Sequence, residues 1–465
     1  MCRFKNFIIF LVFAAILLYG FATDATTRTA VSCSDTDVQS SINSAGNGDT
    51  VVVPAGNCIW TSRISISGKA LVLQGAGIGQ TNITDNVSAS DALDVSCTTS
   101  NFVRVTGFTI IKGTGNHQEG IVQINGPIGN VCFRFDHNRI LQGSTGSRGI
   151  QLRQVHGLID HNVFDVTASG SVQSVSVTGS NDSTDGGFTP WKAPLTLGTN
   201  KAVYIEDNTF SYDNQAEDSI DAYGGARLVI RYNNFNNISI GFHGTDSGNR
   251  RSVHSYEIYS NTFTNNSDTR LRGATLRGGT GVIYNNTYGG STSWYGITLM
   301  NYRSCPPLDQ SSWGTCNGTN YMLASMSFTA QGSRTSCTSG SGCNVKFCSN
   351  ARDTVCTLDS QCSGGTCTTY FDGAGASGYP CRDQVGVTTN QLSSPLYVWN
   401  NGSMGIGTYD GGSGCPIDSI IMLNRDYYAG TAKLGYIAYP YPYPLSTNTP
   451  THTQLNPPTN LRVAP

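Results

Sequence analysis

Ile258-Tyr259-Ser260-Asn261-Thr262-Phe263 is the stretch from which the fold can be read, because the chain says nearly the same thing six times. Asn138-Arg139-Ile140, Asn162-Val163-Phe164, Asn208-Thr209-Phe210, Asn233-Asn234-Phe235 and Asn286-Thr287-Tyr288 share its pattern of Asn, any residue, large apolar. Three residues before each Asn stands Phe135, Ile159, Ile205, Ile230, Ile258 or Ile283. The steps between successive Asn residues are 24, 46, 25, 28 and 25. The double step leaves room for a rung lengthened by insertion or for one lacking its Asn. A regular period in this range marks a repeat architecture. Apolar residues at alternate positions, broken by Asn or Gly, make its units strands.

The expectation is a coil of parallel strands whose apolar positions stack into one narrow core. Asn tolerates the left-handed backbone region and bonds backbone groups with its side chain. Stacked at one corner of successive coils, these residues form a ladder, each amide bonding to the next. Their part is turn geometry rather than ligand binding. Asp136-His137-Asn138 and Asp160-His161-Asn162 stand within the repeat, their His residues expected to bond backbone. In this the chain, from about Ser34 to Tyr288, resembles the pectate-lyase-like superfamily of right-handed parallel β-helix proteins. The resemblance implies an all-β solenoid. It is not specific for function, because that fold carries lyases, hydrolases, esterases, phage spikes and non-enzymatic surface proteins.

Around this solenoid the sequence falls into segments. Arg3 and Lys5 precede the uncharged apolar run Phe7 to Phe21, read as a signal peptide over residues 1–22. The protein is therefore expected to be secreted, with no membrane span after cleavage. The β-helix is expected over 33–300, opened by a helical cap at Ser34 to Ala45, where Val38 and Ile42 stand four apart. Leu71 to Ile78 and Val103 to Phe108 fit as early rungs, with Thr106 at the ladder position. Fourteen of the fifteen cysteines remain once Cys2 leaves with the signal, and ten fall between Cys305 and Cys415. Without Cys-x-x-Cys pairs, residues 301–381 read as a disulfide-stapled insertion rather than a zinc site. Terminal rungs and a Tyr-Pro cap are expected over 382–445, then a linker over 446–465. A net charge of −2 with 12% charged residues excludes a nucleic-acid binder driven by bulk charge. A monomer is expected.

A solenoid has no natural pocket, so chemistry must come from side chains projecting from one strand column and from the loops beside it. Aligning strands across rungs places Ile124, Leu152, Leu197, Ala222, Phe242 and Leu276 inward. One outward column then reads Asn125, Arg153, Gly198, Tyr223, His243, Arg277. Its neighbour reads Gln123, Gln151, Thr196, Asp221, Gly241, Thr275. Rungs stand about 4.8 Å apart, so Tyr223, His243 and Arg277 line a groove on the scale of one or two sugar units. The long segment Thr178 to Pro194 carries Asp182, Asp185, Trp191 and Lys192 and is expected to overhang that column. Trp191 is placed to stack on a sugar and Lys192 to meet a carboxylate.

Two mechanisms compete for these residues, with a non-catalytic glycan-binding surface protein as the alternative class. In a polyuronate lyase, Arg277, Arg153 and Lys192 neutralise the substrate carboxylate, and His243 or Tyr223 serve as base and acid. Gln151 and Asp221 complete the expected substrate contacts. Arg270-Leu271-Arg272 to Arg277, followed by Val282 to Asn286, resembles the pectate lyase run of Arg residues before a Tyr-Asn-Asn turn, though the family's intervening Pro is absent. That resemblance implies Arg272 or Arg277 as base, and Asp218 and Asp221 as calcium ligands. A polygalacturonase-type hydrolase instead needs two carboxylates. Thr184-Asp185-Gly186, Glu217-Asp218, His243-Gly244 and Thr275-Leu276-Arg277 follow that family's motif order, with Glu-Asp for its paired Asp and Phe-His-Gly for its Gly-His-Gly. The lyase is favoured, on an acidic polysaccharide, because cations outnumber paired carboxylates in the inferred groove.

Overall fold

The structure, a computed structural model, describes residues 25–88, 90–115, 120–143, 148–167, 173–180, 187–246, 250–304, 313, 315–322, 346–373, 381–409 and 417–447, without the side chains of 214–217 and 304. The signal peptide, Asp182, Asp185, the Glu217 side chain and nearly all of the linker lie outside these residues. Twenty-seven of the described strands join in one sheet, every pairing parallel, wound as a right-handed β-helix. Each coil contributes to three faces. The first face runs through Thr50–Val53, Leu71–Gly75, Val103–Thr106, Val203–Glu206, Arg227–Arg231, Ser255–Tyr259 and Thr280–Tyr284. The second begins just after each ladder Asn, as in Arg139–Gln142, Val163–Val166 and Thr262–Thr264. The third carries the candidate site and includes Gln173–Thr178, Ala274–Leu276 and Ile297–Leu299.

The Asn ladder is continuous. Asn138, Asn162, Asn208, Asn233 and Asn261 each donate their backbone N–H to the Oδ1 of the next Asn, at 2.9–3.1 Å. The Asn233 Nδ2 also reaches the carbonyls of Arg231 and Ile205 and the Asn261 Oδ1, so the buried amide is satisfied within the turn. Asn162 bonds directly to Asn208. The double step is therefore one rung lengthened by insertion. Asn286 bonds in the same way to Asn401, 115 residues on, so the ladder resumes across the whole intervening segment. The left-handed position is not the Asn but the residue before it: His137, His161, Asp207, Tyr232, Ser260, Asn285 and Asn400 all have φ between 52° and 57°. Thr106 is not a ladder position either. It pairs with Asp136, and Phe108 stands where Asn138 would be. Two residues past the Asn, Phe164, Phe210, Phe235, Phe263 and Tyr288 stack inside the coil at 4.6–4.8 Å.

Helix Asp35–Ser44 covers the first coil with Val38 and Ile42 buried, and its Ser34 cap accepts from the Asp37 N–H at 3.2 Å. The Cys33–Cys58 disulfide fastens it. Between Tyr302 and Arg382 the described residues hold a small antiparallel sheet, Lys346–Cys348, Ala351–Cys356 and Cys367–Thr369, stapled by Cys348–Cys362 and Cys356–Cys367. The sulfurs of Cys348, Cys356 and Cys362 lie close together, but all are spent in these disulfides. Cys316–Cys381 closes the segment. Leu396–Trp399 then returns to the first face against Val282 to Tyr284. The Tyr-Pro run does not close the end of the coil. It lies along the outer side of the first face, where the Arg231 guanidinium donates to the carbonyls of Tyr439 and Pro440 and Tyr443 N–H donates to Glu206. No described helix is long and apolar enough to cross a membrane.

Candidate functional site

Strand register on the third face fixes the columns. Asn125, Arg153, Thr178 and Tyr223 stand in line, with Gln123, Gln151, Ser176, Asp221 beside them, continued by Gly241 and Thr275. The rung expected at Leu195 to Gly198 is supplied instead by Gln173–Thr178. Val177 replaces Leu197 inside, and Ser176 and Thr178 replace Thr196 and Gly198 outside. The insertion falls after this strand rather than before it, so alignment from the following Asn picks the wrong segment. Gly198 packs against the Ile437 carbonyl under the C-terminal run, and its N–H donates to Glu257.

Tyr223, His243, Arg277, Asp218 and Asp221 do come together. The His243 Nδ1 lies 2.5 Å from the Asp221 Oδ1, and the Gln173 amide donates to Oδ2 at 2.7 Å. Asp221 is 1% exposed. Burial alone would push its carboxyl up, but His243, Arg277 and Arg148 hold it below the usual carboxylate range. An ionised Asp221 accepts, so Nδ1 carries the proton and Nε2 is left as the basic nitrogen. A quarter of the His243 side chain (24%) faces solvent.

Two glycines make this approach possible. A Cβ on Gly241 would lie 1.4 Å from the Asp218 Oδ1, so only Gly lets that carboxylate lie across the strand. A Cβ on Gly244 would lie 2.4 Å from the Arg277 carbonyl and 2.6 Å from the Asp246 Oδ1. Arg277 is held by the Asp246 carboxylate at 2.9 Å and by the Phe242 carbonyl at 3.1 Å, with its guanidinium over the Tyr302 ring. Burial lowers the affinity of Arg277 for its proton, but Asp246, Asp218 and Asp221 more than restore it. Tyr223 is almost fully buried, edge-on to His243 and beneath the Arg250 guanidinium.

Other expected residues stand elsewhere. Trp191, in the helix Phe188–Lys192, is fully buried: it donates to the Ser252 carbonyl and packs on His254 and Arg251. It is a wedge in the turn between faces and offers no stacking surface. Lys192 is exposed at the end of that helix. Gln151 is buried, its amide on backbone carbonyls, so it meets no ligand. Arg153 is half-buried in the expected column, four rungs before Arg277. Arg272 lies over the Tyr409 ring at 4.6 Å. Gln173, Asp246, Tyr302 and Tyr409 were not legible as site residues. Gln173 precedes the expected column, Asp246 reads as part of a turn, and both tyrosines follow stretches without the repeat.

No protein-family model matches the chain, and no curated protein matches it. Among solved structures it is similar to ORF18 of Geobacillus virus E2, with 13% identity over 56% of this chain and a TM-score of 0.27. It is also similar to the catalytic domain of a GH87 α-1,3-glucanase in complex with nigerose, with 12% identity over 58% of this chain and a TM-score of 0.21. The matches span 55% and 65% of those two chains.

Proposed function

We propose that the third face carries the active site of a secreted enzyme that cleaves an acidic polysaccharide by β-elimination, with His243 as the base. The single observation behind this reading is the His243–Asp221 pair, a buried ionised carboxylate orienting a partly exposed imidazole beside a guanidinium. Hydrolysis by paired carboxylates fits less well. Both Asp221 oxygens are engaged and Asp246 is buried on Arg277, so neither is placed to act as one half of an acid–base pair. The original ground for elimination, a surplus of cations, does not survive: Asp218, Asp221 and Asp246 surround Arg277. Engagement of the carboxylates, not their number, now supports the lyase.

In the proposed reaction Arg277 offsets the charge of a uronate carboxylate, which acidifies the proton on the adjacent carbon. The His243 Nε2 takes that proton, the electron pair forms the new C=C bond, and the bond to the glycosidic oxygen breaks. The departing oxygen receives its proton back from the imidazolium, so the enzyme ends as it began. Asp221 holds the imidazole in the required tautomer throughout. The scheme routes no step through calcium; Asp221, one of the two expected calcium ligands, accepts from His243 on one oxygen and from Gln173 on the other. Five disulfides among the described residues support a secreted location.

The test counts product ends on a panel of acidic polysaccharides, with and without a calcium chelator. Elimination is expected to yield one ultraviolet-absorbing unsaturated end for each new reducing end, unaffected by the chelator. Reducing ends without absorbance would replace this reading by hydrolysis. Retention of polymer with neither signal would replace it by a binding scaffold.

A further inference from the structure

We infer that Arg272, Tyr409 and Tyr302 form a second anion-binding subsite, about two rungs from Arg277 along the helix axis, for another unit of the same polysaccharide chain. The inference rests on the proposed reading of the groove as a polysaccharide site, and assigns Arg272 to binding rather than to base catalysis. Register supports the placement. Leu276 pairs with Leu299 and Leu299 with Thr408, so Tyr409 follows in the column of Arg277. Its N–H donates to the Leu299 carbonyl, as the Met300 N–H does to Leu276. Two rungs cover about 10 Å, which is close to the length of two sugar units.

The chemistry is that of an anion site with an apolar floor. The Arg272 guanidinium carbon lies 4.6 Å from the centre of the Tyr409 ring, and a third of Tyr409 (36%) is exposed. Tyr302 links the two cations. It stands under the Arg277 guanidinium, and Arg272 and Tyr409 are both near enough to act on its hydroxyl. On the other side of His243, Arg250 lies over Tyr223 in the same manner. Five arginines fall between residues 250 and 277, in a chain with only 28 Lys and Arg in 465 residues. Four of the five, Arg250, Arg270, Arg272 and Arg277, cover a tyrosine ring. A polymer that carries a charge at least on every second unit matches this spacing.

Binding separates this inference from the catalytic one. Affinities would be measured for polygalacturonate, alginate, hyaluronan and neutral dextran, using full-length wild type and the variants Arg272→Ala, Arg272→Lys, Tyr409→Ala and Arg139→Ala. Arg139 is a partly exposed cation on another face, paired with Asp165, and controls for net charge. At least one polyanion is expected to bind wild type, more weakly as salt rises, and dextran is not. Arg272→Ala should weaken binding roughly tenfold or more, Tyr409→Ala less so, Arg272→Lys should recover part of the loss, and Arg139→Ala should match wild type. If Arg272→Ala behaves as Arg139→Ala does, or if no polyanion binds, the subsite is refuted. If binding falls as expected while wild type forms no unsaturated product, the subsite stands and the lyase reading fails. Unsaturated product with binding untouched in Arg272→Ala would sink the subsite alone.

Discussion

Asp221 sits on the strand before His243 and two positions earlier in the register, and the imidazole leans back to it past Gly241, whose missing side chain makes room for the Asp218 carboxylate. Asparagine at position 221 would keep the shape but lose the charge that selects the tautomer. Asp221→Asn is therefore expected to lower turnover roughly 10³-fold with little change in KM, read from the rate of unsaturated-end formation. The same substitution has a pH signature in stability. Folding holds the Asp221 carboxyl below its usual range, so its contribution is full above about pH 4, the unfolded value, and is lost as pH falls through the folded value. The stability gap between wild type and Asp221→Asn should be widest at neutral pH and close below about pH 4 in denaturant titrations. His243, Tyr223 and Arg277 were legible in the sequence because alternation along each strand puts them outward. Gln173 and Asp246 were not, since no local pattern distinguishes a residue that reaches a neighbour's carboxylate from one in an ordinary turn.

At the scale of the element, the repeat Asn-x-apolar specifies the coil because each buried amide is satisfied jointly by a carbonyl of its own turn, a carbonyl of the preceding rung and the Asn of the next. Removing one rung of it, in Asn233→Ala, leaves the Asn208 N–H and the carbonyls of Arg231 and Ile205 without that partner. The expected loss is about 3 kcal/mol of unfolding free energy. Ser260→Gly acts the other way: at φ 56° a side chain is strained, and its removal should stabilise by about 1 kcal/mol in the same measurement. A gain from the first substitution or a comparable loss from the second would contradict the ladder geometry. The lengthened rung shows where periodicity stops informing. The ladder pins both ends of the 46-residue step, but nothing in the spacing says on which side of the strand the extra residues lie, so alignment points to Leu195 to Gly198 where the structure has Gln173–Thr178.

Across the whole molecule, the disulfide-rich segment is joined to the solenoid by buried charge. Arg251, at the end of the site-bearing coil, pairs with Asp383 and Asp353, and Arg382 shares Asp353. Arg303 bonds Asp372 and Thr245, next to Asp246, so this junction also backs the loop that holds Arg277. Asp353→Ala would leave two buried guanidinium groups short of a partner and is expected to cost about 3–5 kcal/mol. Limited proteolysis should then cut the segment before the solenoid opens; simultaneous loss of both would show that they do not behave as separable parts. The cysteines announced a stapled segment, but its anchoring charges are scattered over more than a hundred residues and carry no periodic sign. The Tyr-Pro run suggests a cap for the same reason: prolines say that strand pairing ends, not which face the chain crosses next.

The central claim is that His243 removes the substrate proton, and chemical rescue tests it most directly. His243→Gly takes away the base and leaves a space the size of an imidazole above Asp221. The expected result is a loss of unsaturated product of at least about 10²-fold, restored in proportion to added free-base imidazole and not by added glycine buffer at the same pH. A variant that keeps the wild-type rate without imidazole would contradict the assignment, and with it the account of the groove as a lyase site.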